Sequence, residues 1–214
     1  MSQHNLPYTS CPKKIASRVA TTLSVYRSHF GHRIPADRQY WAMCGRCSHE
    51  KGILDPHSEP QQMIDAGLIS PNQFHGVEFD PTIYTFNKES SREINWHLGD
   101  FYETMVEYSN SHNFRPAIVN ADMIVMPKFG SQYLSRIMQF LTPIEGPTML
   151  LGNFVTEYRH RKTSIADIVS EMERQPSYQL AMNSGRWHWH DLSYWYRGTG
   201  RSGTKMNTVI LFKD

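Results

Sequence analysis

The stretch FHGVEFDPTIYTFNKESSREINWHLGD, residues 74–100, decides the fold that we predict for this chain. It begins and ends with strand-like runs, residues 74–80 and 94–100, and each run finishes in an acidic residue. Between them, residues 81–88 have the pattern of a crossover helix. A helix between two strands favours a parallel pair. Ligands bind outside the carboxyl ends of parallel strands, so we expect both acids at one crevice.

Strand-like runs on both sides of this stretch extend the pattern. Residues 39–45 (QYWAMCG) precede it, and residues 117–122 (AIVNAD) and 148–154 (TMLLGNF) follow it. The alternation of strands with helical patterns indicates an α/β fold with a mostly parallel sheet. The helical patterns lie at residues 11–30, 61–66, 102–109, 131–141 and 164–174.

The end of the chain breaks this alternation. Residues 187–196 (WHWHDLSYWY) and 206–213 (MNTVILFK) are strand-like, with a glycine-containing connection and no helix between them. This pattern predicts an antiparallel hairpin. We therefore predict a Rossmann-like three-layer sandwich with a mostly parallel seven-stranded sheet and a C-terminal antiparallel hairpin. Residues 1–38 form an N-terminal helical extension or cap in this interpretation, and residues 39–214 form the domain itself.

The bulk composition is that of a soluble globular protein. The 214 residues are 39% hydrophobic and 20% charged, with a formal net charge of +2, which neither requires nor excludes a nucleic-acid partner. No apolar run approaches the roughly 20 residues that span a bilayer, so we expect no membrane association. The amino-terminal residues lack the apolar segment of a secretory signal, and three cysteines do not suit a disulfide framework. These features predict a cytoplasmic protein.

The order of elements and the chemistry of the strand ends resemble class I S-adenosylmethionine-dependent methyltransferases. In that family the acid that ends the second strand holds the ribose hydroxyls of the cofactor, and Glu78 of GVEFDP, followed by Phe79, matches this position. The third strand typically ends in Gly-Asp, whose acid reaches the adenine amino group. Gly99 and Asp100 match that pair. The resemblance also implies that Phe101 packs on the adenine ring.

The turn after the first strand matches the family in part. Cys44 and Gly45 resemble the Cys-Gly of many members, so the resemblance implies that they and Arg46 bind the cofactor. Cys47 stands where a further glycine is usual, and the aromatic residues 40–41 replace the acid that is usual in the first strand.

The fourth strand ends in Val-Asn-Ala-Asp, at the position that faces the transferable methyl group in the family. Asp122 is our candidate for a catalytic base or orienting group, with Asn120 as its hydrogen-bonding partner. Enzymes that methylate amino groups of nucleic-acid bases carry Asp/Asn-Pro-Pro-aromatic here, and this chain does not. We expect the amino-terminal helix, with Lys13, Lys14 and Arg18, to pack over the cofactor mouth or to help form the acceptor site.

The resemblance implies S-adenosylmethionine-dependent methyl transfer to an acceptor that is a nucleic acid, a protein or a small molecule. One alternative is a non-catalytic module of the same fold that binds the cofactor or a nucleic acid; the irregular glycine loop motivates it. A second is a nucleotide-binding oxidoreductase, which the terminal hairpin and the absence of G-x-G-x-x-G disfavour. Cys44, Cys47 and His49 lack the second ligand pair of a structural zinc site, so we predict no metal.

Overall fold

Strands rich in branched and aromatic side chains alternate with amphipathic helices along the chain. The computed structural model describes residues 12–47, 53–123, 127–155, 157–158, 161–190, 194–197 and 205–214. The strands are β1 (Gln39–Met43), β2 (Phe74–Glu78), β3 (Asn95–Leu98), β4 (Pro116–Met123), β5 (Thr148–Val155), β6 (Glu157–Tyr158), β7 (Arg161–Lys162), β8 (Trp187–Trp189), β9 (Tyr194–Arg197) and β10 (Lys205–Lys213). The helices are α1 (Pro12–His29), α2 (Glu59–Asp65), α3 (Pro81–Ser90), α4 (Phe101–Ser111), α5 (Pro127–Leu141), α6 (Ile165–Glu173) and α7 (Pro176–Asn183).

The main sheet has the order β3-β2-β1-β4-β5-β10, and both β8 and β9 lie on the far side of β10. The pairs among β1 to β5 are parallel, whereas β10 is antiparallel to β5, β8 and β9. β8 pairs with residues 211–213 of β10 and β9 with residues 205–208, so the two short strands share one position of the sheet. This arrangement confirms the predicted fold class. The glycine-containing tip of the hairpin lies outside the described residues.

Helix caps explain why two strands end earlier than the sequence pattern predicts. The Asp80 carboxylate accepts hydrogen bonds from the backbone of Thr82 (2.8 Å) and Ile83 (3.2 Å), and so begins α3. Asp100 does the same for α4. Each cap satisfies backbone N–H groups that have no partner within the helix. The two aspartates therefore belong to the turns that follow β2 and β3. Helix α7, which starts at a proline, was not predicted from the sequence pattern.

Two hydrophobic layers cover the two faces of the sheet. On one face, Ile15 and Val19 of α1 share a buried cluster with Tyr40 and with Met63 of α2. On the other face, α4, α5, α6 and α7 pack against Trp41 and its neighbours. Helix α1 therefore packs directly on the sheet. No helix among the described residues is long and apolar enough to cross a bilayer.

Two histidines lie side by side under the second of these layers. His75 Nδ1 of β2 is 3.1 Å from His97 Nε2 of β3, and both rings stack on Trp41. Burial, reinforced by the neighbouring histidines, lowers the pKa of His75 to about 3 and that of His97 to about 4. Both imidazoles are therefore neutral in the folded protein at neutral pH.

We expect this pair to make the protein sensitive to mild acid. In the unfolded chain each imidazole titrates near its ordinary value of 6.5, so below that pH the unfolded state binds more protons than the folded state. The free energy of unfolding should fall as pH is lowered, by about 2 kcal/mol from His75 alone at about pH 5.

Urea unfolding at about pH 7.5 and about pH 5 measures this loss. The variant His75→Phe/His97→Phe removes both partners together and leaves no unpaired nitrogen of the pair. Between these two pH values, the free energy of unfolding of this variant should fall by less than that of the natural protein. An equal loss in the two proteins would contradict the assignment.

Candidate active site

The carboxyl ends of the parallel strands form one edge of the sheet, and most of the predicted site residues lie along it. Glu78 ends β2 and is in register with Leu98 of β3. Asn120 of β4 is in register with Ala42 of β1, and both β4 and β2 flank β1. The parallel topology therefore brings together residues that are far apart in sequence, as the strand-end pattern predicts.

The turn after β1 is held in place by a buried asparagine of α3. Asn87 Nδ2 donates to the Gly45 carbonyl (3.0 Å), and its Oδ1 accepts from the Cys47 backbone N–H (2.9 Å). The Arg46 guanidinium lies 4.3 Å from the centroid of the Phe86 ring. Both cysteines are buried free thiols, and the hydrogen bond with Cys47, together with burial, raises the pKa of Cys44 well above its usual value. Asn87 was missed because its helical sequence context gives no sign of its burial.

The end of β2 combines a carboxylate with exposed apolar side chains. Glu78 Oε1 accepts from the Asp80 backbone N–H (3.0 Å), and burial raises the pKa of Glu78. Phe79, the next residue in the chain, is 79% exposed, and Leu98, the register partner of Glu78 on β3, is 49% exposed. Exposed apolar groups beside a partly buried acid are typical of a ligand site.

The third strand leads into a tight turn that places Asp100 on the surface. Gly99 has a φ of +148°, a conformation that favours glycine, and its N–H donates to the Glu78 carbonyl (3.0 Å). The Asp100 side chain caps α4 and is exposed. Phe101 is not where we expected it. It is 2% exposed and packs beside Met105 in the core, so its ring presents no face to a ligand at this edge.

The other half of the site is a buried cluster of charged and polar side chains around Glu59 of α2. Its carboxylate accepts hydrogen bonds from Arg18, from the Tyr40 hydroxyl (2.5 Å) and from Asn120 Nδ2 (2.6 Å). Arg18 uses its other terminal nitrogen to bind Asp122 Oδ2 at 2.9 Å. Arg18 is thus an ion-pair bridge between two acids. Glu59 contacts Asn120 directly and is linked to Asp122 through Arg18.

Hydrogen bonds extend this cluster across the sheet and orient its amides. The Thr208 hydroxyl of β10 donates to Asn153 Oδ1 of β5, and Asn153 Nδ2 donates to Asn120 Oδ1 (3.0 Å). Because Asn120 Oδ1 accepts, its Nδ2 points toward Glu59. Asn153 and Thr208 are fully buried, so this orientation is protected from water.

The sequence reasoning missed the hub of this cluster. Glu59 lies in a segment that looks like a loop, and only the packing of α2 carries its carboxylate to Tyr40. Class I methyltransferases usually carry an acid in the first strand, but this chain has aromatic residues at 40–41. Instead, Glu59 of α2 supplies a carboxylate that contacts Tyr40 of β1. Arg18 of α1, the helix expected to cover the site, contacts Asp122, and the side chains of Lys13 and Lys14 lie outside those that the structure describes.

The architecture of the chain is similar to that of solved methyltransferases. A structure of an O-methyltransferase from Bacillus cereus in complex with SAH aligns over 100% of this chain and 94% of its own, with 12% identity and a TM-score of 0.50. The chain has the class I methyltransferase fold. M. jannaschii TYW2 in complex with AdoMet aligns over 98% of this chain and 78% of its own, with 11% identity and a TM-score of 0.50. The sequence itself matches no family model and no curated protein.

Within this methyltransferase fold, the described residues contain no group of three or more His, Cys, Asp or Glu side chains arranged to hold a metal ion. His49, which follows the two cysteines of the first turn, lies outside the described residues.

Proposed function

We propose that the protein binds S-adenosylmethionine along the carboxyl edge of its sheet and transfers the methyl group to an acceptor. The observation that supports this most directly is the end of β2, where exposed Phe79 follows Glu78 in the chain and exposed Leu98 is the register partner of Glu78. A carboxylate that accepts from two vicinal hydroxyls, next to apolar groups that cover a flat base, suits an adenosine. Phe79 takes the role of base contact that we had expected for Phe101.

The remaining strand-end groups fit the other parts of such a ligand. In this proposal Asp100 contacts the adenine amino group, and Gly99 allows the backbone to turn beneath it. The turn of Cys44, Gly45 and Arg46 contacts the amino-acid end of the cofactor, with its conformation held by Asn87.

The buried cluster suits a positively charged ligand nearby. Among the described contacts it sets two carboxylates, Glu59 and Asp122, against one guanidinium, Arg18. A negative site stabilises a neighbouring cation by Coulomb attraction, most strongly where water is excluded. The sulfonium of S-adenosylmethionine is such a cation.

This reaction requires little covalent chemistry from the side chains of the protein. When bound, the cofactor supplies an electrophilic methyl group on its sulfonium. Asp122, whose side chain is 14% exposed, is positioned by Arg18 and orients the acceptor or takes its proton. Asn120 is held by Glu59 and Asn153 and contributes the fixed wall of the site. The acceptor is a nucleic acid, a protein or a small molecule, and a cytoplasmic location belongs to the same proposal.

Ligand-induced stabilisation tests the cofactor assignment. S-adenosylmethionine or S-adenosylhomocysteine at about 100 times its dissociation constant should raise the free energy of unfolding by about 2.7 kcal/mol, because only the folded state binds it. Differential scanning fluorimetry measures the accompanying rise in Tm, with NAD as the control for a Rossmann-type oxidoreductase. A folded protein whose Tm does not move with millimolar ligand would exclude this function.

Asp122→Asn should lower kcat while the dissociation constant of S-adenosylhomocysteine changes little. The amide keeps the shape of the side chain but does not accept a proton, so an interaction made chiefly in the transition state is lost. The measurement needs an acceptor, found by screening DNA, RNA, proteins and small molecules with labelled cofactor. Methylation at the natural rate by the variant would make Asp122 a structural residue.

A non-catalytic binding module is the second candidate function. The ion pair between Asp122 and Arg18 favours it, because a carboxylate that already serves as the partner of a buried guanidinium has fewer lone pairs for an acceptor. Formation of S-adenosylhomocysteine in the acceptor screen separates the two. A cofactor-binding protein that forms no such product with any acceptor class is the outcome that the module predicts.

A further inference from the structure

The two oxygens of the Asp100 carboxylate are used unequally. Oδ1 accepts from the backbone N–H groups of Tyr102 (3.0 Å) and Glu103 (3.1 Å), which cap α4. The hydroxyl of Tyr133 lies 3.0 Å from Oδ1 and 3.1 Å from Oδ2. In the described part of the chain, Oδ2 has no other hydrogen-bonding partner. One oxygen is therefore saturated by the protein, and the other keeps a lone pair for a ligand.

Tyr133 comes from α5, a different helix from the one that Asp100 caps. Its hydroxyl oxygen accepts from the Tyr102 backbone N–H (2.8 Å) while its proton is donated to Asp100. Burial raises the pKa of Tyr133, which keeps that proton on the phenol. Arg136, one helical turn further along α5, lies 4.3 Å from the centroid of the Tyr102 ring and pairs with Glu103 at 3.3 Å. Helix α5 thus fixes the start of α4.

We propose that Tyr133 is a positioning residue that makes the site select an adenine base by its exocyclic amino group. This rests on the proposed cofactor-binding function. A carboxylate is only an acceptor, so Oδ2 favours an amino donor and repels a carbonyl oxygen in the same place. A fixed carboxylate loses less freedom on binding than a mobile one, and Tyr133 is the side chain that fixes it from outside α4.

The test compares two ligands that differ at position 6 of the purine and, with it, at N1, which carries a hydrogen only in the oxo compound; the variants of Asp100 and Tyr133 therefore assign the preference to this carboxylate. S-adenosylhomocysteine carries an amino group there, and S-inosylhomocysteine carries an oxo group. Calorimetric titration of the natural protein should show a preference of about 10- to 100-fold for the adenosyl compound, the range of a hydrogen bond to a charged group. Tyr133→Phe should reduce this preference by about 3- to 10-fold, through weaker binding of the adenosyl compound alone.

Two further variants sharpen the comparison. Tyr102→Phe removes a neighbouring hydroxyl that makes no hydrogen bond to Asp100 in the described structure, and it should keep the natural preference. Asp100→Asn keeps the helix cap but offers an amide N–H to the ligand, so it should shift the preference toward the inosyl compound. This variant tests the acceptor role even if Tyr133→Phe fails to fold.

The outcomes separate the inference from the function on which it rests. If the natural protein binds neither ligand nor S-adenosylmethionine, the proposed function fails and the inference fails with it. If it binds both nucleosides equally, the function stands and the role of Asp100 and Tyr133 is overturned. If Tyr133→Phe weakens both ligands by the same factor and leaves the ratio unchanged, Tyr133 is a structural residue only.

Discussion

Glu59→Ala should lower the free energy of unfolding by about 3–5 kcal/mol, the cost of removing one partner from a buried ion pair. The variant leaves the Arg18 guanidinium without its buried acid, and it removes the acceptor for the Tyr40 hydroxyl and for Asn120 Nδ2. For a chain of this length the loss corresponds to a fall in Tm of roughly 10 °C. Urea unfolding and thermal melting at neutral pH measure both quantities.

A surface ion pair provides the matched control. Glu103 pairs with Arg136 at 3.3 Å, but the Glu103 side chain is 59% exposed. Glu103→Ala should therefore cost less than about 1 kcal/mol, because water screens the pair and replaces its hydrogen bonds. Equal losses for the two variants would mean that the Glu59 cluster is open to water. A double variant, Arg18→Met/Glu59→Met, should recover only part of the loss. It leaves no unpaired charge of this pair buried, but the Tyr40 hydroxyl and Asn120 Nδ2 still lack their acceptor and Asp122 loses its ion pair with Arg18.

Glu78→Ala should weaken the binding of S-adenosylhomocysteine by about 10- to 100-fold, the equivalent of losing a hydrogen-bonded charged group. Glu78 lies at the end of β2, partly buried, beside exposed Phe79 and Leu98. A bound ribose would place its hydroxyls against this carboxylate and exclude water from it, which strengthens each hydrogen bond. Isothermal titration calorimetry gives the dissociation constants directly.

Asp80→Ala is the control, because it removes an acid two residues away. The Asp80 side chain caps α3 and is not at the strand end. Loss of this cap should lower the free energy of unfolding by about 1 kcal/mol, as for other helix caps. The dissociation constant of S-adenosylhomocysteine should stay within about threefold of that of the natural protein. Comparable losses of affinity in both variants would show that the wrong acid of the pair has been assigned to the ligand.

The positions of the strand-end acids could be predicted because they depend on local pattern and simple topology. Alternating apolar runs separated by helices define parallel strands, and parallel strands expose their carboxyl ends along one edge. The acids Glu78, Asp100 and Asp122, and the amide Asn120, were placed in this way. Even the early ends of β2 and β3 have a local cause, since Asp80 precedes Pro81 and begins a helix.

The aromatic residues show where local pattern stops being informative. Phe79 directly follows the last residue of β2 and is exposed, whereas Phe101 lies three residues past the end of β3 and is buried. Phe101 is the first residue of α4, and the rotation of that helix against the sheet turns its side chain into the core. Helix rotation is set by packing with α5, which the sequence around Phe101 does not describe.

The sequence by itself determined the order of the elements, the parallel sheet with its terminal hairpin, and the edge of the sheet along which the strand-end polar groups lie. Only the tertiary structure decided which charged groups are partners. Arg18 lies 41 residues from Glu59 and 104 residues from Asp122, and the three meet because α1 and α2 pack over the same end of the sheet. A buried charge requires a partner, but sequence spacing does not name it, because the partner is selected by long-range packing.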